Sequence, residues 1–248
     1  MIILRSDEEI GHIREAGRIV ASVLNKLKAF ARSGIETREL DRVALEEILK
    51  LKGIPAFKDY KGYPANICVS INEGVVHGIP SARKLKDGDI VSIDVGVKKG
   101  NYFADAAITI GLGRISEQAE RLMKVTEESL YRGIENARNG KRLSDISANV
   151  QKCVESNGFS VVRSFVGHGI GEKIHEEPEI PNFGAPNKGP RLESGMILAI
   201  EPMVNEGSYE VEVLDDGWTA ITKDRSLSCH FEHTIAVRDT AAEILTAL

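Results

Sequence analysis

The stretch of sequence that decides the fold is residues 90–108, which read IVSIDVGVKKGNYFADAAI. Apolar residues alternate on both sides of Lys99-Gly100, a pattern typical of half-buried strands. A two-residue loop at this dipeptide predicts an antiparallel hairpin in which Asp94 lies opposite Asp105. The two side chains would share one face of the sheet, where directly opposed like charges are destabilising. The hairpin therefore predicts a cation between the two carboxylates.

A second copy of this pattern lies in the other half of the chain. The segment GDIVSID, which ends at Asp94, aligns with GMILAIE, which ends at Glu201. The segment DAAITI, which begins at Asp105, aligns with EHTIAV, which begins at Glu232. Each half therefore supplies two acids at equivalent strand positions, which indicates an internal duplication.

The order of predicted elements agrees with a duplication, because each half has two helices followed by strands. Ser6 and Glu9 form a capping box at the start of the first helix. No linker rich in Pro, Gly or Ser separates the halves, so we expect one α/β (α+β) domain over residues 1–248, with halves at roughly 1–115 and 116–248. The later helices are predicted at about Thr37–Leu51, Glu117–Asn136 and Ser144–Glu155, and the strands at Ile67–Ile71, Ile90–Val97, Tyr102–Ile110, Ser160–Val166, Met196–Met203, Trp218–Thr222 and Phe231–Val237.

The four aligned acids predict a metal centre. For a single acid in a strand, a solvent-facing position at a sheet edge is the better interpretation, since most Asp and Glu side chains are exposed. Four acids at duplicated positions, all in strands rich in Ile, Val and Ala, make that interpretation a minor one. Buried carboxylates are strongly disfavoured unless something compensates their charge. A pair of divalent metal ions would do so, and such a pair indicates hydrolytic chemistry.

His168 is the expected nitrogen ligand, within VGHGIG at residues 166–171. The alternating glycines exclude a helix and let the backbone bend closely around a ligand. Oxygen ligands with one imidazole suit Mn, Fe, Co or Zn, and the sequence does not decide among them. A structural zinc site would use closely spaced Cys and His, and the sequence has no HExxH motif of helix-borne zinc proteases.

Three further histidines stand near this set in the sequence. His77 lies in a turn-flanked segment, and His175 follows the His168 loop. Either could hydrogen-bond a substrate amide or a developing oxyanion, but the residues alone leave an ordinary surface histidine equally open. His230 shares a strand face with Glu232 by alternation, which suggests support of the metal site rather than ligation.

Composition sets the broad class of protein. The chain has 248 residues, 42% of them hydrophobic, and a formal net charge of -5, which gives no support for nucleic acid as the main ligand. Three cysteines without CxxC spacing argue against a disulfide framework and for a reducing compartment. The N-terminus has no signal-peptide pattern, and no apolar run approaches the roughly 20 residues that span a bilayer. We expect a soluble cytoplasmic protein with no membrane contact.

The order of the five residues, with the strings SIDVG, YFADAAIT, GHGIGEKIHEEP, AIEPMV and FEHTIAV, closely resembles the type I methionine aminopeptidases. The resemblance runs over essentially the whole chain. It implies the pita-bread fold, in which two pseudo-symmetric halves form a central antiparallel sheet covered by helices. It also implies removal of an N-terminal initiator methionine, when the second residue is small, by a water that two metal ions activate.

The resemblance also implies a role for each site residue. Asp94 would chelate one metal ion, and Asp105 and Glu232 would bridge both. His168 and Glu201 would complete the coordination of the other ion, and Glu201 would assist proton transfer. His77 would contact the amide that follows the scissile bond, and His175 would stabilise the carbonyl oxygen as it becomes negative.

A methionine pocket is implied around Tyr60, Tyr63, Cys68 and Trp218. Aromatic faces and a soft sulfur suit a thioether, although ordinary core packing would be the interpretation from the residues alone. Phe57 and Ile174 also belong to the expected substrate site. They depart from residues common in the family, a Cys and an aromatic residue, and this bears on pocket shape rather than on the reaction.

Two other functions compete with this one. An X-Pro peptidase of the same fold, such as prolidase or aminopeptidase P, would carry an additional N-terminal domain, which we do not expect here. A non-catalytic pita-bread binding protein would have lost metal ligands, and all five are present. The expected partner is a peptide or nascent-chain N-terminus, with transient ribosome contact as a further option, and the expected state is a monomer.

Overall fold

A computed structural model of the protein describes residues 2–247, so the two terminal positions of the expected 1–248 domain lie outside the described residues. The four α-helices within that range are α1 Asp7–Phe30, α2 Thr37–Lys50, α3 Glu117–Asn136 and α4 Leu143–Ser156. The Ser6 hydroxyl accepts a hydrogen bond from the Glu9 amide, and the Glu9 carboxylate accepts one from the Ser6 amide. The predicted capping box is confirmed, and the other three helices match their predicted bounds to within one residue.

The strands are short, apart from one long hairpin. They are β1 Ile54–Pro55, β2 Cys68–Ile71, β3 Gly74–Val76, β4 Ile90–Lys99, β5 Tyr102–Gly111, β6 Ser160–Val161, β7 Gly167–Gly169, β8 Glu176–Ile180, β9 Ile197–Ile200, β10 Met203–Asn205, β11 Val211–Val213, β12 Ala220–Thr222, β13 Ser228–His230, β14 His233–Ala236 and β15 Glu243–Ile244. β4 pairs with β1, β2 and β5, and a five-stranded sheet has the order β15-β14-β9-β7-β8. Two three-stranded sheets have the orders β13-β10-β6 and β11-β12-β3. All pairs between these strands are antiparallel, in agreement with the expected class.

The hairpin forms in a register two residues from the predicted one. The turn is at Gly100-Asn101, so Asp94 lies opposite Ala107 and Asp105 lies opposite Gly96. Gly100 has a φ of 60°, which suits the first central residue of a type II′ turn. A shift of two residues keeps the same side chains on the same face. The predicted opposition of the two acids was therefore wrong, but their shared face is confirmed.

Two predicted strands of the second half are interrupted at the acids themselves. The strand predicted at 196–203 is divided into β9 and β10, with Glu201 and Pro202 between them. Proline interrupts the strand because it has no amide to donate to the ladder. Glu232 lies between β13 and β14, because its backbone pairs instead with Ala107 of β5. The Glu232 amide donates to the Ala107 carbonyl over 2.9 Å. This pairing joins the second-half strands to the hairpin and places Glu232 on the face that carries Asp94 and Asp105.

Helices cover the sheets and close the core. α1 packs on β4 and β5, where Ile10, Ile13 and Leu27 are fully buried. α3 packs against α4 and on the second-half strands, and buries Leu122 and Leu130. Each such side chain contributes roughly 1.5–3 kcal/mol by leaving water. Among residues 2–247, no helix combines the length and apolar character that a membrane span requires.

Candidate metal centre

The five predicted ligands meet in one place although they come from distant parts of the chain. Asp94 lies on β4, Asp105 on β5 and His168 on β7, while Glu201 follows β9 and Glu232 precedes β14. They line a cavity of about 180 Å³. The other residues of its wall are Phe57, Tyr60, Lys61, Tyr63, Cys68, His77, His175 and Trp218.

Distances between the ligand atoms fit metal coordination. His168 Nε2 lies 3.6 Å from Asp105 Oδ2 and 3.5 Å from Glu201 Oε1. Ligand atoms of Asp105, His168 and Glu232 all lie within 4.8 Å of one another. Two donors that bind one ion at about 2.0–2.2 Å lie at most roughly 4.4 Å apart. The two measured separations from His168 are well inside that limit.

The electrostatics of the carboxylates call for a cation. Burial, together with the neighbouring carboxylates, raises the pKa values of Asp94, Glu201 and Glu232 well above their ordinary range. Burial raises the pKa of Asp105 to about 6. Asp94 Oδ1 is buried and has no hydrogen-bond partner among the described residues. Divalent ions would compensate the clustered charge and satisfy this oxygen, so the residues present fit a metal centre.

His168 is held as a neutral ligand. Its Nδ1 lies 2.9 Å from the carbonyl oxygen of Gly169, and donation to that oxygen leaves the lone pair of Nε2 directed at the acids. Burial lowers the pKa of His168 to about 4, so the ring is uncharged at neutral pH. The backbone hydrogen bond therefore fixes both the tautomer and the orientation that ligation needs.

The two accessory histidines also face the cavity. The ring centroid of His175 lies 4.3 Å from that of His168, and its Nδ1 shares a 2.9 Å hydrogen bond with the Tyr60 hydroxyl. Burial, and then the nearby His168, lowers the pKa of His175 to about 4. His77 has a left-handed φ of 60°, and burial lowers its pKa as well. Neutral imidazoles in these positions can donate to a substrate without adding positive charge.

Part of the cavity wall is an apolar cluster. Tyr63 and Trp218 meet edge to face with centroids 5.1 Å apart, beside the buried Cys68. The Tyr63 hydroxyl lies 3.1 Å from the Ile67 carbonyl and 3.0 Å from the Gly78 carbonyl, which fixes the ring. Ile174, expected in this pocket, lies outside its wall: the side chain is 2% exposed and packs in the core beneath α1.

Two further residues lie near the site: Lys61, which the sequence did not predict, and His230, which it did. Lys61 lines the cavity with a left-handed φ of 50°, and the letters around it gave no signal apart from the neighbouring Tyr60. His230 Nε2 is buried without a hydrogen-bond partner in residues 2–247, 3.8 Å from Glu201 and 3.9 Å from Glu232. Its i, i+2 spacing from Glu232 predicted this proximity.

Gly96 lies directly against the Phe57 ring and leaves room for it because glycine has no side chain. A Cβ placed on Gly96 would lie 2.5 Å from Phe57 Cε1, so the ring has to move in a Gly96→Ala variant. The resemblance to the methionine aminopeptidases implies a methionyl substrate. We expect the KM for such a peptide to rise about 10-fold with kcat little changed, since one methylene in an apolar pocket has effects of this order. Steady-state kinetics on Met-Ala-Ser test this, and the Gly96→Ala/Phe57→Leu double variant should recover most of the loss. An unchanged KM in the single variant would contradict this view of the wall.

Comparison with known proteins agrees with the fold. Residues 11–239 match the model of metallopeptidase family M24. A methionine aminopeptidase of Clostridium perfringens is 56% identical over the full length of both chains. The crystal structure of methionine aminopeptidase from Thermotoga maritima is 45% identical over all of both chains, with a TM-score of 0.98, which confirms the expected pita-bread fold.

The X-Pro peptidases are more distant. Prolidase from Pyrococcus furiosus superposes with a TM-score of 0.81 at 22% identity, and the match covers 99% of this chain and 66% of that one. That likeness shows the fold alone. With a family match over most of its length and a relative more than half identical from end to end, the chain belongs to metallopeptidase family M24 and, within it, to the methionine aminopeptidases.

Proposed function

We propose that the protein removes the N-terminal methionine from nascent chains and peptides whose second residue is small. The observation that carries this proposal is the mixed lining of the cavity, in which acids and imidazoles lie together with an apolar cluster of Phe57, Tyr63, Cys68 and Trp218. The relatives' name describes the same activity. A thioether fits the aromatic and sulfur wall, where each contact contributes about 0.3–1.5 kcal/mol.

Membership of a metallopeptidase family implies divalent metal binding. We propose two ions, drawn from Mn, Fe, Co or Zn, held by Asp94, Asp105, His168, Glu201 and Glu232. Ions in such a set polarise a carbonyl and lower the pKa of water toward neutrality. Asp105 and Glu232 have ligand atoms close to the same imidazole, so both would hold one ion together with His168. The resemblance implies that they also hold the second ion.

The remaining chemistry belongs to side chains of the chain. Glu201 is proposed to accept a proton from the attacking water and to pass it to the leaving amine, as a carboxylate that lines the cavity can. His175 donates to the carbonyl oxygen as its negative charge develops, and Tyr60 orients the ring through the shared hydrogen bond. His77 donates to the next amide of the substrate.

The setting of this activity is proposed from the same features. We propose a single catalytic domain of two related halves, which acts as a monomer in the cytoplasm on extended N-termini, including those that emerge from the ribosome. The cavity, at about 180 Å³, admits a side chain and a short extended segment but no folded partner. Substrates would therefore have a free and flexible N-terminus.

The proposal is tested by incubating the purified protein with a divalent metal and either Met-Ala-Ser or Gly-Pro. We expect release of methionine from the first peptide and no cleavage of the second. Dialysis against a chelator should abolish the release, and Mn or Co should restore it, since metal provides the activated water. Release of proline without methionine would overturn the assignment, and release unaffected by chelation would overturn the metal dependence.

A further inference from the structure

We propose that Arg5 is a positioning residue for His175: its guanidinium fixes the loop of residues 171–176, which carries that histidine. This inference rests on the proposed function, because it assigns Arg5 a catalytic consequence only through His175. Arg5 lies outside the cavity wall and takes no part in the chemistry described above.

The Arg5 side chain is 3% exposed and is surrounded by carboxylates. Nη2 donates to both oxygens of Glu176, over 2.9 and 3.1 Å. Nη1 lies 3.2 Å from Glu9 and 3.3 Å from Glu172. One guanidinium thus joins two acids of the loop to one acid of α1, and charge-assisted bonds of this kind are about twice as strong as neutral ones.

The backbone of Arg5 and its partner Glu9 are themselves fixed by hydrogen bonds. The Arg5 amide donates to the Gly195 carbonyl over 2.8 Å. Glu9 is held by the capping box of α1 and by the Tyr102 hydroxyl, which donates to it over 3.1 Å. The guanidinium carbon also lies 5.8 Å from the centre of the Tyr102 ring. Arg5 is therefore fixed relative to α1 and β5, and it holds Glu172 and Glu176 of the loop in place relative to both elements.

The bound loop is also held by the Phe103 amide, which donates to the Gly171 carbonyl over 2.8 Å, and by the buried Ile174. Residues 170–175 lie between β7 and β8 and form no regular secondary structure. A Cβ on Gly171 would lie 2.7 Å from Arg5 Nη2, so the guanidinium packs directly on the loop backbone. Glu176 also accepts a 3.0 Å hydrogen bond from the Lys173 amide. His175 immediately precedes Glu176, which accepts both hydrogen bonds from Arg5 Nη2. Arg5 therefore limits where the His175 imidazole can lie.

The imidazole itself needs that precision. Its ring stacks on Tyr60 with centroids 5.2 Å apart and lies 4.3 Å from the His168 ring. Misplacement of a catalytic group by about 1 Å can reduce a rate about 100-fold. Loss of Arg5 would leave Glu9, Glu172 and Glu176 clustered without their cation and would let the loop move.

The test compares Arg5→Met with Arg5→Lys, which keeps the charge but not the planar fork. We expect Arg5→Met to lower kcat on Met-Ala-Ser about 10-fold with KM changed less than about 2-fold, and Arg5→Lys to recover part of the loss. Arg238→Met is the matched control, because Arg238 also bonds two acids, Asp7 and Glu243, but contacts no part of the loop. The control should lower thermal stability and leave kcat unchanged.

A double-mutant cycle separates positioning from a general structural role. In a His175→Ala background, Arg5→Met should lower kcat less than about 2-fold, because the group that Arg5 positions is already absent. An equal loss in both backgrounds would overturn this inference alone. An unchanged kcat in His175→Ala itself would overturn both the inference and the proposed role of His175. If Arg5→Met does not fold, the same cycle is run with Arg5→Lys.

Discussion

Replacing Asp105 with Asn is expected to remove metal and activity together. The substitution keeps the shape of the side chain but exchanges an anionic ligand for a neutral amide at the centre of the cluster. Loss of a group that only supports a metal ligand lowers metal affinity or activity by about 10–100-fold. Loss of a ligand itself should cost more, so we expect kcat on Met-Ala-Ser to fall by more than about 100-fold. Glu232→Gln should behave alike, because its ligand atom lies in the same group. Metal analysis after dialysis, with kinetics on the same sample, measures both effects.

The matched control for this substitution is Asp89→Asn. Asp89 is also buried, at 8% exposure, and accepts hydrogen bonds from Asn72 Nδ2 and the Lys86 amide over 2.9 and 2.8 Å. It lies outside the cavity wall, so its loss should affect stability and leave metal content unchanged. The metal-free Asp105→Asn protein should unfold at a higher temperature than the metal-free parent, since one buried like charge is gone. Full metal content and activity in Asp105→Asn would contradict the bridging role.

Replacing His175 with Ala is expected to lower kcat by about 10²–10³, the range found when one donor to an oxyanion is removed. KM should change less, because this donor acts mainly as charge develops on the carbonyl oxygen. Tyr60→Phe is a graded comparison: it removes only the hydroxyl that bonds His175 Nδ1 and should cost much less. Metal content should be unaffected in both variants. A His175→Ala enzyme with the parent kcat would remove this residue from the mechanism.

The sequence predicted which residues line the site better than it predicted their relative positions. Asp94 and Asp105 share a face as expected, because the register shift of two residues preserves the alternation of side chains. The shift itself depends on whether Lys99 or Asn101 accompanies Gly100 in the turn, and the alternating letters fit both choices. Local patterns therefore identified the face but not the partner of each acid.

Long-range contacts account for what local patterns missed. The pairing of Glu232 with Ala107 joins two distant segments and interrupts a strand that looks continuous in the sequence. Ile174 was expected in the substrate pocket through the resemblance, whereas the loop that carries it turns the side chain into the core. Lys61 lines the cavity and itself has a left-handed backbone conformation within the short helical turn Tyr60–Gly62. Nothing in the neighbouring residues predicts that conformation.

Anomalous X-ray scattering from crystals of the active protein loaded with Mn or Co would locate the metal ions directly. We expect two peaks inside the cavity, with Asp94, Asp105, His168, Glu201 and Glu232 as the protein ligands and with Asp105 and Glu232 touching both. A single peak in fully active protein would contradict the metal pair. An active protein with no peak in this cavity, or with metal bound by other residues, would show that these five residues do not form the catalytic metal centre.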